Sequence, residues 1–137
     1  MSKVAVIYWS GTGNTEAMAN AIADGAKGAG AEVSMFSASE VTKDIVKEFG
    51  SIAFGCPSMG AEVLEESEFQ PMWDDVKGLL NGKKLVLFGS YGWGDGEWMR
   101  NWADEADNFN VLATPICQEA PDATVIAELN DLGKALA

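Results

Sequence analysis

The sequence predicts an α/β fold: a three-layer sandwich with a five-stranded parallel sheet, order 2-1-3-4-5, and helices on both faces. Three observations lead there. Apolar strand-like runs alternate with amphipathic helix-like stretches from one end of the chain to the other. Strands that are each followed by a helix imply parallel pairing through right-handed crossovers. The first strand-to-helix junction, Ser10-Gly11-Thr12-Gly13-Asn14-Thr15, has the composition of an anion-binding loop. Two more polar, glycine-bearing loops follow the third and fourth strands. The predicted order sets the loops after strands 1 and 3 at the switch point, where ligands bind, with the loop after strand 4 next along the sheet.

Val4 to Tyr8 reads as a buried strand, and Met18, Ala21, Ile22, Gly25 and Ala26 recur at helical spacing after it. Gly28 and Gly30 stop that helix. Glu32 to Phe36 is a short second strand. Val41 to Phe49 is an amphipathic helix with Val41, Ile45, Val46 and Phe49 on one face. Ser51 to Cys56 is a buried third strand closed by Pro57. Phe69 to Leu80 is a helix ended by Asn81-Gly82, and Lys84 to Phe88 is the most apolar strand. Gly96 to Phe109 is a helix with Trp98, Trp102 and Ala106 on one stripe; Trp98 and Trp102 pack it on the sheet, while Trp73 is either core or surface. Val111 to Gln118 is the fifth strand, with Pro115 marking an edge or a bulge. Asp122 to Leu136 is the closing helix. No repeat or linker interrupts the pattern, so residues 1–137 are expected to form one domain.

The chain has 137 residues, 47% of them hydrophobic, which is enough for a real core. No apolar run approaches membrane-span length. Met1-Ser2-Lys3-Val4 enters the first strand at once, leaving no room for a signal peptide. Cys56 and Cys117 are expected as buried free thiols of a cytoplasmic protein. With no histidine, imidazole proton relays and Ser–His or Cys–His hydrolysis are excluded. No residue cluster has metal-ligand spacing. The net charge of −12, from 21 acids against 9 bases, makes nucleic acid a poor partner. Six acids (Glu62, Glu65, Glu66, Glu68, Asp74, Asp75) and no Lys or Arg lie between Pro57 and Asp75, and Asp95 and Glu97 flank the next loop. Acids crowded where the loops gather would steer basic faces of partner proteins to that end.

The first loop lacks the lysine of a mononucleotide P-loop, and Glu16 stands where a dinucleotide fingerprint needs its third glycine. What remains is hydroxyls and amides with no cation, which suits a terminal phosphomonoester bound by neutral donors. The plain alternative is a strand-to-helix turn with a Ser or Thr cap.

Tyr8-Trp9-Ser10-Gly11-Thr12-Gly13-Asn14-Thr15-Glu16 closely resembles the phosphate loop of flavodoxins. Cys56-Pro57-Ser58-Met59-Gly60-Ala61-Glu62 is similar to that family's first flavin-flanking loop, and Gly89-Ser90-Tyr91-Gly92-Trp93-Gly94-Asp95-Gly96 to its second. The order and spacing match, most closely those of short-chain flavodoxins of anaerobic bacteria. Receiver domains share the fold, but their phospho-accepting Asp at the end of strand 3 is replaced here by Gly55-Cys56-Pro57.

The resemblance implies FMN as cofactor. Residues 10–15 would hold its 5′-phosphate. Trp93, free between Gly92 and Gly94, would cover the outer flavin face, and Met59 the inner face. Taken alone, the flanking glycines favour stacking of Trp93 over a plain loop anchor, whereas Met59 reads as core. Backbone groups from Gly89 through Ser90, Tyr91 and Gly92 to Trp93 would meet the pyrimidine edge. Ser58, Gly60 and Ala61 would lie in the loop at the ring. Glu62 would accept from flavin N3–H; without the resemblance it is one more solvated acid. Glu119 would sit near the exposed ring edge. Trp9 either packs beside the phosphate and ribityl chain or only packs. On reduction flavin N5 gains a hydrogen, and the Gly60–Ala61 peptide would rotate to offer it a carbonyl, which glycine makes affordable. Ala61 departs from the polar or acidic residue relatives often carry there. The implied function is a low-potential one-electron carrier cycling between semiquinone and hydroquinone, not an enzyme. It would be monomeric and meet its redox partners transiently. The alternative is an FMN-dependent NAD(P)H or quinone reductase of the same fold, which would need a second pocket over the flavin.

Overall fold

The structure is a computed structural model that describes residues 2–137; Met1, at which the expected 1–137 domain begins, lies outside the described residues. The run Val4–Ile7 is the buried centre of β1 (Lys3–Tyr8). β2 (Glu32–Ser37) pairs with it on one side, Val6 opposite Met35. β3 (Ser51–Gly55) pairs on the other, Val6 opposite Ala53. β4 (Lys84–Tyr91) follows β3, and β5 (Asn110–Ala113) follows β4. All pairs are parallel and the sheet runs β2-β1-β3-β4-β5, the expected order.

The expected fifth strand, 111–118, is instead two strands. Pro115 has no N–H to give a ladder. β5 stops at Ala113, and β6 (Ile116–Gln118) restarts beside the far end of β4, with Gly89 opposite Ile116. That pairing extends β4 as well: Gly89, Ser90 and Tyr91, expected in a loop, are strand because β6 lies against them.

Successive strand residues face opposite layers. Val4, Val6, Ala53, Val86 and Phe88 pack under α1 (Asn14–Gly28) and α5 (Ala123–Leu136). Ala5, Ile7, Ile52, Phe54, Leu85 and Leu87 pack under α2 (Lys43–Lys47), α3 (Phe69–Val76) and α4 (Glu97–Glu105). Trp73 is core: its ring stands edge-on to Phe54 at 5.2 Å and to Trp102 at 5.5 Å. Trp98 and Trp102 are buried too. The helices of this layer are shorter than expected. α2 is capped by Thr42, whose Oγ1 accepts the Ile45 N–H at 3.3 Å, and ends at Lys47. α3 passes into a 3-10 turn over Lys77–Leu79, and α4 stops at Glu105. The apolar residues that suggested longer helices, Val41, Phe49, Leu80 and Phe109, are buried or half-buried in the flanking turns. Both cysteines are buried free thiols. Among the described residues no helix is long and apolar enough to cross a membrane.

α1 and α5 touch through their backbones. A Cβ on Gly25 would strike the Asn130 carbonyl, and one on Gly133 the Ile22 carbonyl. Alanine at either position should therefore cost about 1–3 kcal/mol through overpacking, despite alanine's better helix propensity. Urea unfolding should show the lowered midpoint in both variants; a midpoint at or above the parent's would contradict this packing.

Candidate functional site

β1 delivers the chain to the carboxyl edge of the sheet, where the Trp9 N–H still reaches Gly55 O at 3.0 Å. Residues 10–13 then turn into α1, and Gly13 caps the helix at φ 95 without a side-chain cap. Ser10 Oγ accepts the Gly13 N–H at 3.1 Å and the Glu16 N–H at 3.3 Å, which leaves its own hydrogen to donate. The Asn14 and Thr15 amides fall in the first turn, where no intrahelical acceptor exists. Thr15 is 1% exposed, and among the described residues its Oγ1 has no hydrogen-bond partner. A buried polar group left unpaired costs about 1–3 kcal/mol. Beside open amides at the positive end of the α1 dipole, this hydroxyl is arranged to donate to an anion.

The loop after β3 is stitched to β4: the Cys56 N–H donates to Phe88 O at 3.0 Å and the Ser58 N–H to Ser90 O at 3.1 Å. Met59 and Val63 then exchange two backbone hydrogen bonds, of 2.9 and 3.0 Å, closing a turn over Gly60, Ala61 and Glu62. Gly60 has φ 48 and Glu62 φ 57, a left-handed conformation that suits glycine and is uncommon for glutamate. The Glu62 side chain folds inward and its Oε1 accepts the Asp95 N–H at 3.1 Å. A Cβ on Gly94 would overlap this carboxylate, so glycine at 94 is what admits it. Burial and the neighbouring Glu97 carboxyl push the Glu62 pKa above its ordinary value.

β4 ends in a second pinned segment. Ser90 Oγ donates to Glu119 O at 2.6 Å, and the Glu119 N–H donates to Tyr91 O at 2.9 Å, holding Glu119 at φ 59. Trp93 stands 63% exposed at the loop tip. Trp9 is half-buried, with Nε1 donating to Glu68 at 3.0 Å.

Between these segments lies a cleft of about 220 Å³ lined by Trp9, Gly11, Thr12, Asn14, Pro57, Ser58, Met59, Ser90, Tyr91, Gly92 and Glu119. Three loops distant in sequence thus meet at one place, at the carboxyl ends of β1, β3 and β4. Pro57 is the lining residue of the first flavin-flanking segment to which the sequence assigned no contact of its own. Ser10, Gly13 and Thr15 stand behind the wall, in the loop and helix start that carry Thr12 and Asn14. Gly60, Ala61, Glu62 and Trp93 are outside the lining, on the tips of the two loops above it. A lining that combines the open-amide loop before α1, including Trp9 and Thr12, with Met59 and Tyr91 from the other two segments fits a phosphorylated, flat aromatic ligand such as FMN.

The flavodoxin family model (Flavodoxin) matches residues 6–110. A curated flavodoxin of Megasphaera elsdenii is 46% identical over 136 residues, covering 98% of each chain. One from Clostridium beijerinckii is 46% identical over 120 residues, covering 85% of this chain and 87% of the relative. Among solved structures, the solution structure of two-electron reduced Megasphaera elsdenii flavodoxin superimposes with a TM-score of 0.89 at 44% identity, covering 96% of this chain and 98% of that one. With its strand order, its three converging loops and these relatives, the chain belongs to the flavodoxin family.

Proposed function

We propose that this chain is a low-potential one-electron carrier that holds FMN in the cleft and exchanges electrons with redox enzymes, without being an enzyme itself. The observation that carries this reading is the buried, unpartnered Thr15 hydroxyl at the start of α1, beside an aromatic-walled cleft. When bound, FMN supplies the one-electron chemistry. The chain's own residues hold and shape it. Hydroxyls of Ser10, Thr12 and Thr15 and the amides of Gly11, Thr12, Asn14 and Thr15 take the phosphate with no cation, the Gly13 amide being held by Ser10 Oγ. Trp9 packs beside the ribityl chain. Met59 and Trp93 cover the ring faces, and backbone groups of Ser58 and of Ser90 to Gly92 meet its polar edge. Glu62 has one oxygen on the Asp95 N–H and a second to offer N3–H. Glu119 lies at the ring's open edge, and Gly60 with Ala61 forms the turn that adapts to the redox state.

Residues 1–137 act as one domain, a cytoplasmic monomer that meets partners transiently. The exposed acids Glu66, Glu68, Glu97 and Glu119 attract basic partner faces to the cleft end, whereas Asp95 is paired with Arg100 at 2.9 Å. Mixing the FMN-loaded protein with NADH alone tests the carrier against the reductase reading: the carrier stays oxidised until a partner reductase is added, and fast bleaching without one would overturn it.

Thr15→Val should weaken FMN about tenfold to a hundredfold, the loss of one hydrogen bond to a charged acceptor, and leave riboflavin affinity unchanged. Because it replaces an unpaired hydroxyl with an isosteric methyl, the FMN-free variant should be at least as thermostable as the parent. Equal loss for both ligands would contradict the phosphate role.

Gly60→Ala should lower the first one-electron potential of the bound flavin by tens of millivolts, since one bond of about 1.4 kcal/mol corresponds to about 59 mV. The second potential should move much less. Equal shifts in a spectroelectrochemical titration would contradict a redox-coupled turn.

Glu62 also predicts a pH dependence in the FMN-free protein. Its folded-state pKa is raised, so its ionised form is held less well in the fold than in the unfolded chain, and its destabilisation grows as pH rises through the carboxylate range. Glu62→Gln should therefore melt above the parent at pH 7, with the difference shrinking as pH falls toward the ordinary carboxylate value. A difference independent of pH would contradict it.

A further inference from the structure

The loop 57–64 leaves the sheet at Cys56 and rejoins the fold at Glu65, and these two residues touch. The Glu65 N–H donates to Cys56 Sγ at 3.3 Å, and the thiol donates to Pro57 O at 3.5 Å. Both residues are buried, Cys56 completely and Glu65 at 6% exposure. The Glu65 carboxylate turns onto the start of α3. Its Oε2 accepts the Ser67 N–H at 2.8 Å, and its Oε1 accepts the Glu68 N–H at 2.7 Å and the Phe69 N–H at 2.8 Å. Its carbonyl accepts the Gln70 N–H at 2.8 Å. Burial alone would raise the Glu65 pKa, but the backbone donors outweigh it and hold the carboxyl below its ordinary value. Burial pushes the Cys56 thiol up to about 12, so it stays protonated and keeps its place as both acceptor and donor.

A buried carboxylate is costly unless fully hydrogen-bonded, and this one is. Its charge neither faces solvent nor serves to attract partners. It fixes the C-terminal end of the loop to α3, and the thiol fixes the same residue to the end of β3. Eight residues, 57–64, are thereby closed at their base.

We infer that the Cys56–Glu65 contact is a clasp, and that these two positioning residues hold the loop carrying Met59, Gly60 and Glu62 at the ring end of the bound cofactor. What the loop meets rests on the FMN reading above; the clasp itself does not. Among the described residues, neither Cys56 nor Glu65 shares a hydrogen bond with residues 10–15, so the clasp governs the ring half of the site and leaves the phosphate half alone.

Two variants test it. Cys56→Ala removes the acceptor of the Glu65 N–H. Glu65→Gln puts an NH2 where at least one backbone donor needs an acceptor. In FMN-free protein, amide hydrogen exchange at Met59 and Val63 should quicken by about tenfold or more in both, while exchange at Ala17 in α1 stays as in the parent. The riboflavin Kd should rise about tenfold, with the Kd for inorganic phosphate unchanged. Unchanged exchange at Met59 and Val63, exchange quickened equally at Ala17, or riboflavin affinity equal to the parent's would each overturn the inference. A parent that binds neither riboflavin nor FMN would overturn the FMN reading instead, and the exchange measurement would still decide the clasp.

Discussion

β1 lies between β2 and β3, and that pairing decides where this molecule can bind. The chain leaves β1 through α1 over one face of the sheet and leaves β3 through α3 over the other. The loops after β1 and β3 therefore diverge, and the gap between their roots is the crevice that a doubly wound sheet offers at its switch point. β4 and β6 extend the wall on the β3 side. The Ser58–Ser90 and Ser90–Glu119 hydrogen bonds then tie its three segments into one edge. A ligand spanning the crevice would meet helix amides at one end and strand-end backbone at the other, and among the described residues no lysine or arginine lines the cleft.

The absence of a cation from that lining shapes the electrostatics. In the proposed reading the phosphate would meet only dipoles and hydroxyls, in a protein of net charge −12. Any further negative charge placed on the ligand is opposed by the same field, which favours a low potential for adding it. The acid count overstates that field, however. Glu62 and Glu65 turn inward to accept backbone N–H groups, and Asp74 and Asp75 pair with Lys77 and Lys43. The exposed carboxylates near the loops are fewer than the run from Glu62 to Asp75 suggests, and their attraction is screened over about 8 Å at physiological salt.

The strands were legible because burial on both faces turns them into continuous apolar runs, Val4–Ile7 and Leu85–Phe88 above all. Where one residue removes a donor the reading blurred: Pro115 splits a strand, and the second piece draws Gly89–Tyr91 into the sheet. Helix ends were overestimated because Phe49, Leu80 and Phe109 keep the apolar period while lying in turns. In the site, glycine and hydroxyl positions marked the three loops. Spacing cannot report which way an acid points, so the inward carboxylates of Glu62 and Glu65 and the Cys56 contact were not visible in it. Nor was the missing partner of Thr15, which is a property of packing alone.

On the proposed reading the chain is a one-electron carrier of the flavodoxin family, with FMN in the cleft between the three loops. An anaerobic reductive titration of the FMN-loaded protein, followed by visible spectra, tests this most directly. The account predicts two separate one-electron steps, the second at markedly lower potential than the first. A single two-electron step would contradict it.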